Sequence, residues 1–528
     1  MKVVLTTPAT EMSEYNGNPA IAFVSGFSKP FFIPRHYLLT NLYRPVDSDE
    51  TLRVVRAPLG LRRIEASLIY SGLFNSNDVA IVHPDHLEDV VRENTRIVGI
   101  SVKDPLGLGY VSLTYSTLLG LGEPINKFEF MLLMRKVKRL KEKYRFRVVV
   151  GGPGVWQFRF LNNIEELGID VLISGEGERV APSVFAKLAR GENPGRLVKG
   201  GFVPVENIPH ILGATICGAV EVSRGCGRGC MFCTPTMLVK RDIPLEVVTK
   251  DIETNLRQGQ DRALLVTEDL FLYGSSPPWE PNESAVTRLV NAVIGLRNSG
   301  LRYLQITHMN LAAIRYRKEL FKNIADKLHE FAWFKLRGDY INTVEVGIES
   351  GSPRIIGKLM RGKVLPYKPE EWPSIVLESL ILMEECGWVP LATLIVGLPG
   401  EDIDDALKTL ALIDSIREHG LRPFMVPLLF VPLGGSLLEN RPIKSFDELS
   451  DVQLEIFSNC WRHNLRNWGI DHFENYGFAK KTMLSVLARL YLITVARRYR
   501  WRERIAKEIY RELARFLHKG VGVDGKGV

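Results

Sequence analysis

The sequence predicts an α/β fold in three parts: a doubly wound, Rossmann-like domain, then a full or partial TIM-type barrel, then an α-helical carboxyl-terminal region. Three observations predict it. Short β-rich runs alternate with amphipathic stretches over residues 1–200, the alternation resumes over 212–440, and from 441 the strand signal stops while helical periodicity continues. A chain of 528 residues exceeds one ordinary core, and 45% hydrophobic with 24% charged residues is globular composition that argues against long disorder.

In the first part the expected strands are Val3–Thr6, Val79–His83, Ile97–Val102, Val148–Val150 and Val171–Ile173, with helical periodicity around Leu61–Ser71 and Phe128–Lys143. This order implies a parallel sheet. Its strand ends carry KDPLGLG, GGPG and GEGE, where glycine lets backbone approach a ligand. The proline-bearing stretch GGFVPVENIPHI then reads as a linker over 201–211.

In the second part the expected strands are Ala263–Thr267, Tyr303–Thr307, Thr343–Val346, Thr393–Val396 and Met425–Phe430, with helices near 244–258, 284–298, 319–330, 374–386 and 403–419. Regular strand–helix alternation of this length suggests a barrel, whose chemistry sits at the carboxyl ends of the strands.

The third part, 441–528, ends in basic helices and a glycine-rich tail expected to fray. Of the net charge of +8, residues 480–519 supply +9, from 12 Lys or Arg against 3 Glu. The basic character therefore belongs to the last helices, where Tyr499, Trp501, Tyr510 and Phe516 interleave with arginines. Three partners fit: nucleic-acid phosphates, an anionic lipid surface, or a solvated face whose arginine stems cover the barrel. No run of about 18 apolar residues occurs, and the amino-terminal apolar run is too short for a signal peptide. The expectation is a cytoplasmic protein, with peripheral contact at the inner membrane face as a further option through 480–519.

Six cysteines are few for this length, and three crowd together in EVSRGCGRGCMFCTPT, so a reducing compartment is expected rather than a disulfide framework. Cys226, Cys230 and Cys233 have C-x3-C-x2-C spacing inside a glycine-bearing loop after a strand. Four-iron clusters normally take four thiolates, so three leave one iron open, as a catalytic metal keeps an open position. The competing reading is a zinc knuckle with a remote fourth ligand. Cys217, Cys386 and Cys460 stand alone and read as small hydrophobes.

This motif, with Phe232 before the last cysteine, resembles the radical S-adenosylmethionine superfamily. The resemblance implies a 4Fe-4S cluster on Cys226, Cys230 and Cys233. Its open iron would chelate the amino and carboxylate groups of S-adenosylmethionine, and an electron from an external donor would release a 5′-deoxyadenosyl radical. It also implies S-adenosylmethionine contacts at Phe232, at Glu268 and Asp269 in TEDLFLYG, at His308 in ITHMN, at Glu349 and Ser350 in GIESGS, and at Gly397 and Leu398 in LIVGLPGE. An acidic residue at a strand end is about as often a cap or a loop residue, so the order of these motifs after the cysteines carries more weight than any one.

Residues 52–190 resemble the cobalamin-binding domains that precede this barrel in one subclass, through RAPLGLRRIEASLIYSG, GISVKDPLGLG, VVVGGPGVWQF and ISGEGE, and look like one archaeal-type group within it. The implied cobalamin contacts are Pro105, Leu106, Gly107, Gly151, Gly152, Pro153, Gly175 and Glu176. The Asp-x-His-x-x-Gly loop that supplies a cobalt-ligating histidine is replaced by APLGLRR, so no histidine is expected below the cobalt. A scaffold without cofactor is the alternative. Trp156 and Gln157 could cover a cofactor face or pack on the barrel.

The activity implied is functionalisation of an unactivated carbon in a small-molecule or lipid substrate, by cobalamin-dependent methyl transfer or carbon–carbon bond formation. The alternatives are a transfer-RNA modifier, whose class carries a second cysteine triad absent here, and a non-catalytic cobalamin or cluster sensor. No general acid or base is assigned.

Overall fold

The structure, a computed structural model, describes residues 1–276, 279–473 and 478–518. The first sheet is built from β1 (Val3–Thr6), β2 (Val79–Ile81), β3 (Ile97–Ser101), β4 (Arg147–Gly151), β5 (Val171–Gly175) and β6 (Leu197–Gly201). They pair in parallel in the order β2-β1-β3-β4-β5-β6. The inner strands read as continuous apolar runs because both sheet faces are covered. Val3 and Leu5 pack with Leu61 and Leu68 of α1 (Leu59–Tyr70), and Val4 and Val98 pack on the opposite face with Phe130 and Met134 of α3 (Ile125–Tyr144). The sheet is thus wound on both faces.

β6 went unforeseen because it is an edge strand, with Leu197, Lys199 and Gly201 exposed. The expected linker 201–211 begins on its last residue. That connection is packed rather than loose, since Val203, Ile208 and Ile211 are buried.

In the second part, β7 (Ala219–Glu221), β8 (Arg262–Val266) and β9 (Tyr303–Ile306) form one parallel sheet, and β10 (Glu345–Glu349), β11 (Leu391–Val396) and β12 (Phe424–Leu429) form another. A parallel bridge between His308 and Glu345 joins them. The result is a six-stranded partial barrel. The ladder of β10 starts later than the expected Thr343, because Asn342 is engaged in an isolated bridge with Trp388.

Alternation along these strands sorts their residues. Val220, Leu265, Ile306, Val346 and Leu394 are buried beneath the outer helices, whereas Glu221, Leu264, Gln305, Glu345 and Thr393 keep accessible surface. Those helices are α5 (Leu245–Arg257), α6 (Glu283–Ile294), α7 (Lys318–Leu328), α8 (Trp372–Glu385) and α9 (Ile403–Glu418), and they follow α4 (Ala181–Ala189) of the first part. A closed eight-stranded barrel fills its interior with side chains. This arc leaves its lumen open.

The open side is closed by a helix of the first domain, α2 (Tyr110–Leu119). The Leu429 N–H donates to Thr114 Oγ1 (2.9 Å) and Tyr115 Oη donates to Pro427 O (3.0 Å), so α2 lies along edge strand β12. Downstream, α10 (Asp451–Phe473) and α12 (Arg500–His518) pack on each other, with α11 (Phe478–Thr494) between them in sequence. The glycine-rich tail from 519 lies outside the described residues.

Candidate active site

The cysteine loop leaves β7 through backbone that only glycine adopts easily. Gly225 has φ +74°, and a Cβ there would lie 2.4 Å from Val239 O. The Cys226 and Gly227 N–H groups donate to Met237 O (3.2 and 3.1 Å), and Met231 N–H donates to Leu359 O (2.9 Å). Arg228 fastens the loop from beneath. Its guanidinium donates to Asp269 Oδ2 and to Gly362 O, both at 3.0 Å, and Gly362 has no room for a side chain against Arg228 O.

The three thiols are reduced and close enough to perturb one another. A hydrogen bond between Cys230 and Cys233 lowers the first thiol and raises the second, while burial lifts Cys226 to about 11. Among the described residues, no three His, Cys, Asp or Glu side chains gather closely enough to hold a single metal ion. The donor set suits a cluster: three thiols on one pinned loop, with no fourth His, Cys, Asp or Glu gathered with them among the described residues. Phe232 is buried behind them.

Facing the thiols is a buried ion pair. Lys363 Nζ donates to Glu349 Oε1 (2.9 Å), and Thr393 Oγ1 donates to Glu349 Oε2 (3.3 Å). Burial works against the ammonium charge, but Glu349 and Cys230 outweigh it and raise Lys363. Glu349 stands at a ladder irregularity with φ +61°, a left-handed conformation that costs a non-glycine residue about 1 kcal/mol or more. A Cβ on Gly347 would lie 2.3 Å from Lys363 Nζ, so that glycine makes room for the pair.

Deeper in the lumen, His308 is bracketed by Thr267 O (3.1 Å from Nδ1) and Glu345 Oε2 (3.4 Å from Nε2). Its side chain is 37% accessible, so it lines open space within the barrel. Burial opposes protonation, yet Glu345 and then Glu268 lift the imidazole to about 9. Glu268 is raised by burial and has no hydrogen-bond partner among the described residues.

Thus Phe232, Glu268, His308 and Glu349 meet around the cysteine loop and lumen. Four other expected contact residues have their groups engaged elsewhere in the fold. Asp269 is spent on Arg228 and on capping Leu270–Leu272 through Phe271 N–H (3.2 Å). Ser350 is fully buried, accepting from Ser352 N–H (3.1 Å), away from the lumen. Gly397 gives its N–H to Glu401 (2.8 Å) and Leu398 is fully buried, so the turn's side chains and this donor serve packing.

The first domain meets the same region. Gly151, Gly152, Pro153 and Gly175 are accessible at the carboxyl ends of β4 and β5. Pro105 and Gly107 are instead buried, with Pro105 close against Gly154 and Gly107 against Pro124, and Leu106 N–H donates to Gln157 Oε1 (2.8 Å). Glu176 is corrected to a domain clamp. Burial opposes its charge, but Arg241, the Val203 N–H and Arg224 hold it below the ordinary carboxylate range. Trp156 packs against Gly434 of the barrel, and buried Gln157 also donates to Asp104 Oδ1 (2.6 Å).

Sequence reasoning missed Lys363, Glu345, Lys103 and Tyr110. Lys103 and Tyr110 flank the loop leaving β3: Lys103 lies in the field of Glu345, and Tyr110 in that of Cys233 and Glu349. The Tyr110 hydroxyl is buried without a hydrogen-bond partner among the described residues. No spacing rule links these residues to the cysteines, because they come from other elements. Lys363, fourteen residues after Glu349 on the same outgoing segment, was within reach as the one cation of LMRGKV next to the motif besides Arg361.

Residues 220–413 match the family described as Radical SAM superfamily. Curated relatives include the ribosomal protein uS12 methylthiotransferase RimO of Thermotoga maritima, 25% identical over 215 residues (39% of this chain, 43% of that protein). Another is the tRNA-2-methylthio-N(6)-dimethylallyladenosine synthase of Fusobacterium nucleatum, 21% identical over 263 residues (49% and 54%). The chain spans about half the length of these relatives. Among solved structures it is similar to TsrM from Kitasatospora setae, a radical S-adenosylmethionine methyltransferase with cobalamin and a [4Fe-4S] cluster bound, at TM-score 0.53 and 14% identity over 83% of this chain and 74% of that one. That likeness is one of fold. The matched segment, residues 220–413, carries the pinned cysteine triad at the mouth of the partial barrel, and it is this part of the chain that is similar to the radical S-adenosylmethionine superfamily.

Proposed function

We propose that the chain is a cobalamin-dependent radical S-adenosylmethionine enzyme that functionalises an unactivated carbon, by methyl transfer or carbon–carbon bond formation. One observation carries the reading. The loop leaving β3, at the carboxyl edge where open α/β sheets bind ligands, ends in Tyr110, which packs against the barrel core that includes Cys230 and Phe232. A cofactor at that edge would lie against the cluster site, and the orphaned Tyr110 hydroxyl and the accessible Gly151, Gly152 and Gly175 fit a missing group there.

When bound, the cluster supplies the electron that cleaves S-adenosylmethionine and the cobalamin supplies a methyl carrier. The chain's own residues hold the site. Cys226, Cys230 and Cys233 would hold three irons of the cluster, Lys363 and Glu349 present a buried charge pair beside them, and α2 covers the edge strand of the arc. Glu268, which makes no hydrogen bond among the described residues and lies in the field of His308, offers a carboxylate that would accept from an ammonium in the lumen.

The sequence matches favour a second reading, methylthiolation of a macromolecule. Against it, no cysteine precedes Cys217, where that class carries its second triad.

The test is anaerobic reconstitution with iron, sulfide and hydroxocobalamin, beside a Cys230→Ala variant. Iron and cobalt should both bind, and the variant should lose iron while keeping cobalt. With S-adenosylmethionine and reductant, S-adenosylhomocysteine should form if methyl transfer is the reaction. Iron without cobalt would reduce the first domain to a scaffold, and zinc in place of iron would sink the radical reading.

A further inference from the structure

The helix α11 carries its apolar face outward. Toward the protein it turns buried Ser485, together with Ala488 and Tyr491. Toward solvent it turns Met483, Val486, Leu487, Leu490 and Ile493, each between 45% and 54% exposed. The spacing i, i+3, i+4, i+7, i+10 makes one stripe, the reverse of an ordinary surface helix. A contiguous stripe of this kind marks an interaction surface.

A second exposed apolar group hangs from the same anchor. Phe31 and Phe32 are 87% and 55% exposed. The last turn of α2 ends in carbonyls with no helical partner. Ser28 Oγ takes Ser116 O (2.8 Å), Arg502 takes Thr117 O (2.7 Å) and Tyr491 Oη takes Leu118 O (3.2 Å). One helix end therefore holds both the aromatic pair and the aliphatic stripe.

Charge selects the occupant. Residues 478–499, which precede α12, contain five Lys or Arg and no Asp or Glu. A second copy would bring cations against cations. α12, by contrast, spends its charges internally, with Arg504 on Asp451 and Glu455, and Glu508 and Glu512 on Arg462 and Arg466. Trp501 is likewise used inside, stacked on Phe446 at 4.4 Å. No described helix is long and apolar enough to cross a bilayer. We propose that α11, with the Phe31–Phe32 tip, docks the protein on an anionic lipid surface, aliphatic and aromatic side chains entering the interface and the flanking cations meeting lipid headgroups.

Co-sedimentation of the full-length protein with phosphatidylcholine vesicles, with and without phosphatidylglycerol, tests this. The protein should pellet with the mixed vesicles and be released by salt. A Leu487→Asp/Leu490→Asp variant should bind roughly tenfold more weakly, with unchanged circular dichroism. Phe31→Ser/Phe32→Ser, on a separate segment, should weaken binding in the same direction. Wild-type protein that stays in the supernatant, binds both vesicle types equally, or is matched by both variants overturns the proposal. So does a dimer in light scattering that the α11 variant abolishes, which would assign the face to a second copy.

Discussion

At the scale of residues, Glu349 is a left-handed, buried carboxylate whose cationic partner among the described residues is Lys363. Removing one member of a buried pair strands the other, at about 3–5 kcal/mol. Glu349→Leu should therefore be strongly destabilised in thermal unfolding, while Glu349→Leu with Lys363→Met should regain most of that loss. Both should fail to cleave S-adenosylmethionine if the pair serves the site. A pair that is only structural would leave cleavage intact in the double variant. His308 gives a pH signature. Its folded pKa, about 9, lies above the ordinary value of about 6.5 for histidine. Its contribution to stability is thus complete below about pH 6.5 and is lost as pH rises toward 9. Unfolding midpoints should fall over that window in the wild type and stay flatter in His308→Gln. Because the ring is 37% accessible, solvent screening keeps the effect modest.

At the scale of elements, the cysteine loop and the terminal helices illustrate two kinds of ion pair. The Arg228–Asp269 pair is almost wholly buried (3% and 1% accessible), whereas Arg504–Asp451 is open (40% and 87%). Arg228→Ala should cost about 3–5 kcal/mol and loosen the loop, read as faster iron loss to a chelator. Arg504→Ala should cost below about 1 kcal/mol and leave iron retention unchanged. Equal effects in the two variants would show that the loop is not held from beneath. The arginine-rich appearance of 500–515 thus reflects helix packing, and the unexplained apolar surface belongs to α11.

At the scale of the whole molecule, the two α/β parts are locked together. Glu176, at the end of β5, binds Arg224 and Arg241 of the barrel, and Arg63 of α1 reaches Asp251 at 2.7 Å. With α2 on β12, these contacts make the first domain a wall of the barrel lumen. Glu176→Ala should therefore expose residues 201–211 to limited proteolysis and weaken retention of any cofactor between the domains. Resistance equal to the wild type would place the lock elsewhere.

The sequence by itself determined the alternating α/β order, the doubly wound sheet and the cysteine triad, because strand runs, helical periodicity and C-x3-C-x2-C spacing are local and need no partner to be read. It also carried Glu349 and His308 to the right strand ends. What it could not carry was decided by contacts between distant segments. Asp269 and Ser350 carry groups suited to binding a ligand, but Arg228 and Ser352 claim them once the chain folds. β6 is invisible because an edge strand needs no apolar face, and α2 because its weak pattern follows a glycine-rich loop. Only the tertiary structure left the barrel open, closed it with a helix from another domain through contacts 312 and 315 residues apart in the chain, and packed Tyr110 against the core that holds Cys230.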